Sequence, residues 1–144
     1  MAHEVYITVT INGTTTNYGI YLLGAASADT GNNFVRANNV TVYGTATAVS
    51  NIGIFISSNT GNNFVRANNV TVYGTTGNIG IELLGTAALP TEYNYVDSNS
   101  VFTSTNFTNN WGIYLVTNVN LNIISNNSIL TNGTTTNYGI YLLG

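Results

Sequence analysis

Short apolar stretches with alternating inward and outward positions recur along the whole chain. In Ile20-Tyr21-Leu22 two aliphatic residues flank an aromatic one, and aliphatic residues flank a variable residue at four further places. These places are Ile54-Phe55-Ile56, Ile81-Glu82-Leu83, Ile113-Tyr114-Leu115 and Ile140-Tyr141-Leu142. A period of two is typical of a β-strand with one buried face, whereas frequent Gly and Asn disfavour a helix. The pattern predicts five equivalent strands in which the middle residue points to solvent.

Each of these predicted strands begins with the motif Asn-x-Gly-Ile. Consecutive copies of its glycine are 27 to 34 residues apart. A repeat of this length is the sequence signature of a solenoid, in which each repeat forms one coil and buries its apolar face against neighbouring coils. Five copies therefore predict about five coils of roughly 27–34 residues. The asparagines of the motif are Asn17, Asn51, Asn78, Asn110 and Asn137.

A second motif places an asparagine between two aliphatic residues. Its first copy consists of Val35, Asn38 and Val40, and the equivalent asparagines follow at intervals of 28 to 31 residues. Two short strands that meet at a sharp bend, together with the Gly-Ile strand, give three strands per coil. Asparagine tolerates the left-handed backbone of such a bend, and its amide can bond to the amides stacked above and below. The pattern predicts two asparagine ladders, one through the Asn-x-Gly-Ile motifs and one through Asn38, Asn68, Asn99 and Asn127.

Two segments of the chain occur twice without a change. Residues 31–45 are identical to residues 61–75, and residues 12–24 are identical to residues 132–144. The second pair places the same sequence near both ends of the predicted solenoid. Neither end carries an evident polar cap, so we expect both ends to expose strand edges that pair with another chain.

The repeats predict an all-β protein, a right-handed single-stranded parallel β-helix with three short strands per coil. We expect a single domain over residues 1–144, with a partial N-terminal coil at 1–24 and about four coils at 25–144. The chain is 44% hydrophobic, which is enough to fill the core of one domain of this length.

A family resemblance indicates the same fold. The segment from Asn122 to Ile129 reads N-x-I-x-x-N-x-I, and after a polar stretch Tyr138 to Leu142 reads Y-G-I-Y-L. This alternation resembles the parallel β-helix repeats of the pectate-lyase-like superfamily, and most closely the Asn-rich NosD-like repeats of exported and archaeal surface proteins. The resemblance implies the fold but leaves the function open, because lyases, epimerases, tailspikes and structural stalks share the repeat.

Charge is unusually scarce, since only 5% of residues are charged and the net charge is −3. Arg36 and Arg66 are the only fixed cations in the sequence, whereas a nucleic-acid groove needs several phosphate-neutralising side chains. The sequence lacks an uninterrupted apolar stretch of the roughly 20 residues that cross a membrane as a helix. We therefore expect neither a nucleic-acid partner nor membrane insertion. The N-terminus shows no signal-peptide pattern, and the absence of cysteine excludes disulfides and thiolate metal sites.

The few ionisable residues do not combine into a catalytic pattern. Polysaccharide lyases and hydrolases work with paired carboxylates and a basic residue. The sequence has five carboxylate side chains, and most of them fall in different predicted columns. They are Glu4, Asp29, Glu82, Glu92 and Asp97. The one concentrated set of charges follows a single predicted column, which consists of Arg36, Arg66, Asp97 and Ser125. We interpret it as a surface ion pair and, alternatively, as an anion contact. His3 has no neighbouring residue in the sequence that could serve as a second metal ligand. Because a catalytic pattern is also missing, we predict no enzymatic activity, no metal and no cofactor.

Aromatic residues form a predicted outer column that offers a better candidate for binding. Flat rings in such a column can stack on the faces of sugars, which makes it a candidate carbohydrate platform. The alternative interpretation is cross-strand aromatic pairing that stabilises the sheet, at roughly 0.2–1 kcal/mol per pair. The residues concerned are Tyr21, Phe55, Trp111, Tyr114 and Tyr141.

The leading functional hypothesis is a structural solenoid that stacks head to tail with copies of itself, into a fibre or a surface layer. It follows from the expected strand edges at both ends and from the lack of a catalytic pattern. The alternative is a carbohydrate-binding stalk or a fragment of a polysaccharide-active protein. We expect an extracellular or cell-surface location in either case.

Overall fold

The computed structural model describes residues 4–5, 7–25, 31–45, 50–105 and 108–144, and within these residues the regular structure is entirely β. The strands are short, with two to nine residues each. Their bounds are β1 (Glu4–Val5), β2 (Thr8–Gly13), β3 (Asn17–Leu23), β4 (Phe34–Arg36), β5 (Asn39–Gly44), β6 (Asn51–Ser57), β7 (Thr60–Gly61), β8 (Phe64–Arg66), β9 (Asn69–Gly74), β10 (Asn78–Leu84), β11 (Thr91–Glu92), β12 (Tyr95–Asp97), β13 (Ser100–Thr105), β14 (Thr108–Val116), β15 (Val119–Asn120), β16 (Ile123–Ser125), β17 (Ser128–Asn132) and β18 (Thr135–Leu143).

The strands form four parallel sheets that run along the axis of the solenoid. Sheet A has the order β1-β4-β8-β12-β16, sheet B β2-β5-β9-β13-β17, sheet C β3-β6-β10-β14-β18 and sheet D β7-β11-β15. Every strand pairs in parallel with a strand of the neighbouring coil. Five rungs in each of the three long sheets enclose about four full turns. The predicted parallel solenoid with three strands per coil is confirmed, and three coils add a short fourth strand.

The core consists of aliphatic columns that continue from coil to coil. Ile81 of β10 pairs in register with Ile54 of β6 and Ile113 of β14, and all three are fully buried. Val65 and Val96 repeat this arrangement in sheet A. The alternation of the sequence therefore assigned the inward positions correctly.

The glycine of the Asn-x-Gly-Ile motif is required by the close approach of sheets B and C. A Cβ atom at Gly80 would overlap the side chain of Val101 and lie 2.6 Å from the carbonyl oxygen of Gly112. The equivalent positions Gly19 and Gly53 are enclosed in the same way. Any larger residue in this position would push two sheets apart.

The left-handed residue of each bend is the one before the ladder asparagine. Ala37, Ala67 and Ser98 have φ values of 56°, 55° and 56°, and each precedes an asparagine of the Asn38 ladder. None of the nine predicted ladder asparagines is among the described residues with positive φ. The expectation that these asparagines themselves adopt the left-handed backbone is therefore wrong. The bend turns the chain first, and the asparagine then begins the next extended segment with its amide free to stack.

Two threonines in one column of sheet D differ in how their hydroxyl groups are satisfied. Thr60 and Thr91 pair in register and are buried. Thr91 Oγ1 donates to the carbonyl oxygen of Leu84 at 2.9 Å, whereas Thr60 Oγ1 has no hydrogen-bond partner among the described residues. The next residue of the column is Val119, so the position accepts valine.

We expect Thr60→Val to raise the free energy of unfolding by about 1 kcal/mol, because it removes an unsatisfied buried hydroxyl group without changing the volume. Thr91→Val is the matched control and should lower it by about 1 kcal/mol, since it breaks a hydrogen bond. Urea unfolding of both variants measures the two changes. Equal effects of the same sign would contradict the hydrogen-bond assignment.

Candidate functional site

An asparagine ladder runs along the bend between sheets A and B. The side-chain amides of Asn38, Asn68 and Asn99 each donate to the Oδ1 atom of the next asparagine at 2.9 Å, and the last acceptor is Asn127. The backbone N–H groups of the same three residues bond to the same oxygens at 2.9 to 3.0 Å. The asparagine ladder expected from the sequence is present, and it satisfies polar groups that are almost fully buried.

A second asparagine ladder lies near the start of the strands of sheet C. Asn17 donates to Asn51 at 2.8 Å, Asn51 to Asn78 at 3.0 Å, Asn78 to Asn110 at 3.2 Å and Asn110 to Asn137 at 2.8 Å. Both ladders have one polarity, because each amide nitrogen donates to the asparagine that comes later in the chain.

The structure contains a third asparagine ladder that the sequence patterns had not predicted. Asn33 donates to Asn63, Asn63 to Asn94 and Asn94 to Asn122, at 2.9 to 3.0 Å and with the same polarity. Each of these residues lies five positions before a member of the Asn38 ladder. That constant offset was the signal that could have revealed the third ladder.

The outer face of sheet C is a second apolar cluster rather than an open column of rings. Phe55 is only 5% exposed, and it packs with the buried Ile52 and Ile79. Tyr21 is 46% exposed, at the edge of this cluster. The expectation that the middle residue of each strand points to solvent is therefore wrong for the central coils. Neighbouring side chains on this face pack against one another and bury the residues of the central strands.

The five residues considered as a carbohydrate platform lie in two separate ring groups on this face. Tyr21 contacts Phe55 with ring centroids 4.9 Å apart, and Tyr18 stacks on both rings. Trp111, Tyr114 and Tyr141 form the other group, with centroids 5.4 and 5.5 Å apart.

Glu82 is the residue of the central strand that separates these two ring groups. It pairs in register with Phe55 on one side and Tyr114 on the other, and is 7% exposed. Burial raises the pKa of its carboxyl group from 4.5 to about 7. Burial also raises the pKa values of the Tyr18 and Tyr114 hydroxyl groups, and the charge of Glu82 raises both further. Glu82 was expected to be exposed, so the structure corrects that expectation.

The charged column on sheet A is a compact hydrogen-bond network. Arg66 Nε lies 3.1 Å from Asp97 Oδ2, and Ser125 Oγ donates to Asp97 Oδ1 at 2.8 Å. Ser98 and Asn126 donate to the same carboxylate. These hydrogen bonds, first that of Ser125, lower the pKa of Asp97, and the charge of Arg66 lowers it further. The geometry favours the interpretation as a surface ion pair over that of an anion contact.

The last coil exposes residues that are covered in every inner coil. Ile140 and Leu142 are 49% and 66% exposed, whereas Ile113 and Leu115, their partners in the preceding coil, are buried. A hollow of about 280 Å³ opens at this end between Leu115, Val119 and Leu142. The aliphatic columns of the core are thus exposed to solvent at the last coil.

No family model, curated protein or solved structure matches this chain. Among the described residues, no helix has the length and apolar character needed to cross a membrane. The same part of the chain contains no group of three or more His, Cys, Asp or Glu side chains that could hold a metal ion. Asp29 and His3, which were considered as candidate site residues, lie outside the described residues.

Proposed function

We propose that the chain is a structural β-solenoid module that stacks end to end with further copies of itself, in a fibre or in a surface layer. The observation that carries this proposal is the stacking of identical segments of neighbouring coils within the molecule. Residues 31–45 and 61–75 are identical and lie directly over each other. Phe34 stacks on Phe64 and Tyr43 on Tyr73, at 5.0 and 5.2 Å.

The other identical pair lies at opposite ends of the solenoid. Residues 17–23 form β3, and the identical residues 137–143 lie within β18; these are the two outer strands of sheet C. A second molecule placed beyond β18 would therefore stack a copy of the same strand, as β5 and β9 do within one molecule. Contacts of this heterologous kind do not close on themselves, and they produce filaments.

The environments of the three carboxylates whose side chains the structure describes support a role without catalysis. Glu82 is covered by apolar groups, Asp97 is held by Arg66 and three neutral donors, and Glu92 accepts a hydrogen bond from Asn120 at 3.3 Å. None of these arrangements pairs two carboxylates with a base. We therefore expect no turnover of pectate or alginate.

A carbohydrate-binding stalk is the second candidate function. It is favoured by Tyr138, which is exposed and stacks on Tyr141 at 4.8 Å with an interplanar angle of 20°. The resemblance to NosD-like repeats of exported and archaeal surface proteins supports an extracellular location. Glycan-array binding that is lost in Tyr138→Ala would favour this function.

The stacking proposal is tested by sedimentation velocity and electron microscopy across a concentration series. We expect axial polymers from the wild-type protein and none from Leu142→Lys, which places a charge on the exposed end of a core column. Tyr73→Lys is the control, because it adds the same charge to the side wall of sheet B. A wild type that stays monomeric at high concentration would contradict the proposal, as would polymers that are indifferent to Leu142→Lys.

A further inference from the structure

The last glycine of the Asn-x-Gly-Ile motif has a space beside it that none of the described residues fills. A Cβ atom at Gly112 would overlap the side chain of Ile129 and lie 2.5 Å from the carbonyl oxygen of Gly139. A Cβ atom at Gly139 would meet no atom of the described residues within 4 Å, and the backbone there is not left-handed. Glycine is thus needed at 139 only where a further coil lies beyond it.

The in-register neighbours of a second copy would fill this space with compatible groups. By the register of the inner coils, Ile140 would lie on Ile20 and Leu142 on Leu22 of that copy. The position that Ile129 occupies beside Gly112 would be taken by Val9 beside Gly139. All of these contacts continue aliphatic columns of the core.

The polarity of the ladder from Asn17 to Asn137 allows one orientation of the second copy. Each ladder amide donates toward the C-terminal end, so Asn137 at that end would donate to Asn17 of the copy that follows. If two C-terminal ends came together, the amide N–H donors of the two ladders would face each other without an acceptor. The arrangement is therefore head to tail.

One of the ladders stops at the joint. The backbone N–H of Ile7 donates to Asn38 Oδ1 at 2.7 Å, as the N–H of Asn38 donates to Asn68 Oδ1 at 3.0 Å. Ile7 thus holds the ladder position of the first coil without an amide side chain. In the stack it would lie over Asn127 and offer no acceptor to the amide nitrogens of that residue.

We propose, on the basis of the stacking function above, that the C-terminal coil is a socket for the N-terminal coil of a second copy of this chain. Gly139 admits the incoming coil, the ladder that ends at Asn137 fixes its direction, and Ile7 keeps the joint weaker than the contacts between coils of one molecule. The joint is therefore reversible under conditions in which each molecule remains folded.

The first test compares Gly139→Ala with Gly112→Ala. Gly139→Ala should keep the wild-type melting temperature and raise the concentration needed for assembly on the order of tenfold or more, because the added methyl group meets the incoming coil. Gly112→Ala has the same clash inside the molecule and should lower the melting temperature. Assembly of Gly139→Ala at the wild-type concentration would overturn the proposal.

The second test restores the missing acceptor. Ile7→Asn should lower the concentration needed for assembly by roughly three- to tenfold, the effect of about one added hydrogen bond. Ile7→Val is the control and should leave it unchanged. An Ile7→Asn variant that assembles no better than Ile7→Val would overturn the assignment of the joint. If the wild type assembles while Gly139→Ala and Ile7→Asn have no effect, stacking stands and this joint is wrong; if the wild type never assembles, the proposed function itself fails.

Discussion

Replacement of Ile81 by Asp should destabilise the protein by about 4 kcal/mol or more. Ile81 is fully buried in the middle coil, between Ile54 and Ile113. The substitution places a carboxylate in an apolar column without a partner and also removes the packing of a large side chain. Because domains of this size are stable by only about 5–15 kcal/mol, the melting temperature should fall sharply or the variant should fail to fold.

The control for this experiment is Ile140→Asp in the same column. Ile140 belongs to the last coil and is 49% exposed, so an aspartate there keeps contact with water. We expect a cost below about 1 kcal/mol in the monomer. Equal losses from the two substitutions, measured by urea unfolding, would contradict the assigned order of the coils.

Stability should fall as the pH rises from about 4.5 to about 7, because of Glu82. Burial raises the pKa of this carboxyl group in the folded protein to about 7, from 4.5 without burial. Between these values the folded state retains a proton that the unfolded state has released, so each step up in pH favours unfolding. The full shift corresponds to a loss of roughly 3 kcal/mol, complete above about pH 7.

Glu82→Gln should remove this dependence. The free energy of unfolding of the variant should equal that of the wild type near pH 4. At pH 8, where the wild type buries a charge, it should be higher by about 2–3 kcal/mol. Asp97 does not mask the effect, since its lowered pKa confines its contribution to more acidic solution. Tyr18 and Tyr114 have raised pKa values and titrate only in alkaline solution. Urea unfolding at pH 4.5, 6 and 7.5 measures the change, and equal stability of the wild type at all three values would refute it.

The inward half of the fold could be predicted from the sequence because a strand has a strict period of two. Ile54, Ile81 and Ile113 fall into one column once their motifs are aligned, and no further information is needed. The outer face of sheet C could not be predicted in this way. Whether Phe55 and Glu82 meet water depends on how side chains of adjacent strands lean across the face, which periodicity does not describe.

The features that argue for assembly were only partly visible in the sequence. The identity of residues 12–24 and 132–144 suggested that the ends match. The empty space beside Gly139 and the position of Ile7 over the start of the Asn38 ladder depend on the packing of the coils, which the repeat pattern does not describe. A repeat motif marks where a glycine occurs, but only the packing distinguishes an enclosed glycine from an open one.

Electron cryo-microscopy of the wild-type protein at high concentration tests the central proposal most directly. Five rungs at about 4.8 Å each give an expected subunit repeat of roughly 24 Å along a filament. We expect continuous solenoids in which β18 of one molecule pairs in parallel with β3 of the next, so that the joint has the strand spacing of the inner coils. Separate particles of monomer size at every concentration, or polymers joined through the side walls, would contradict it.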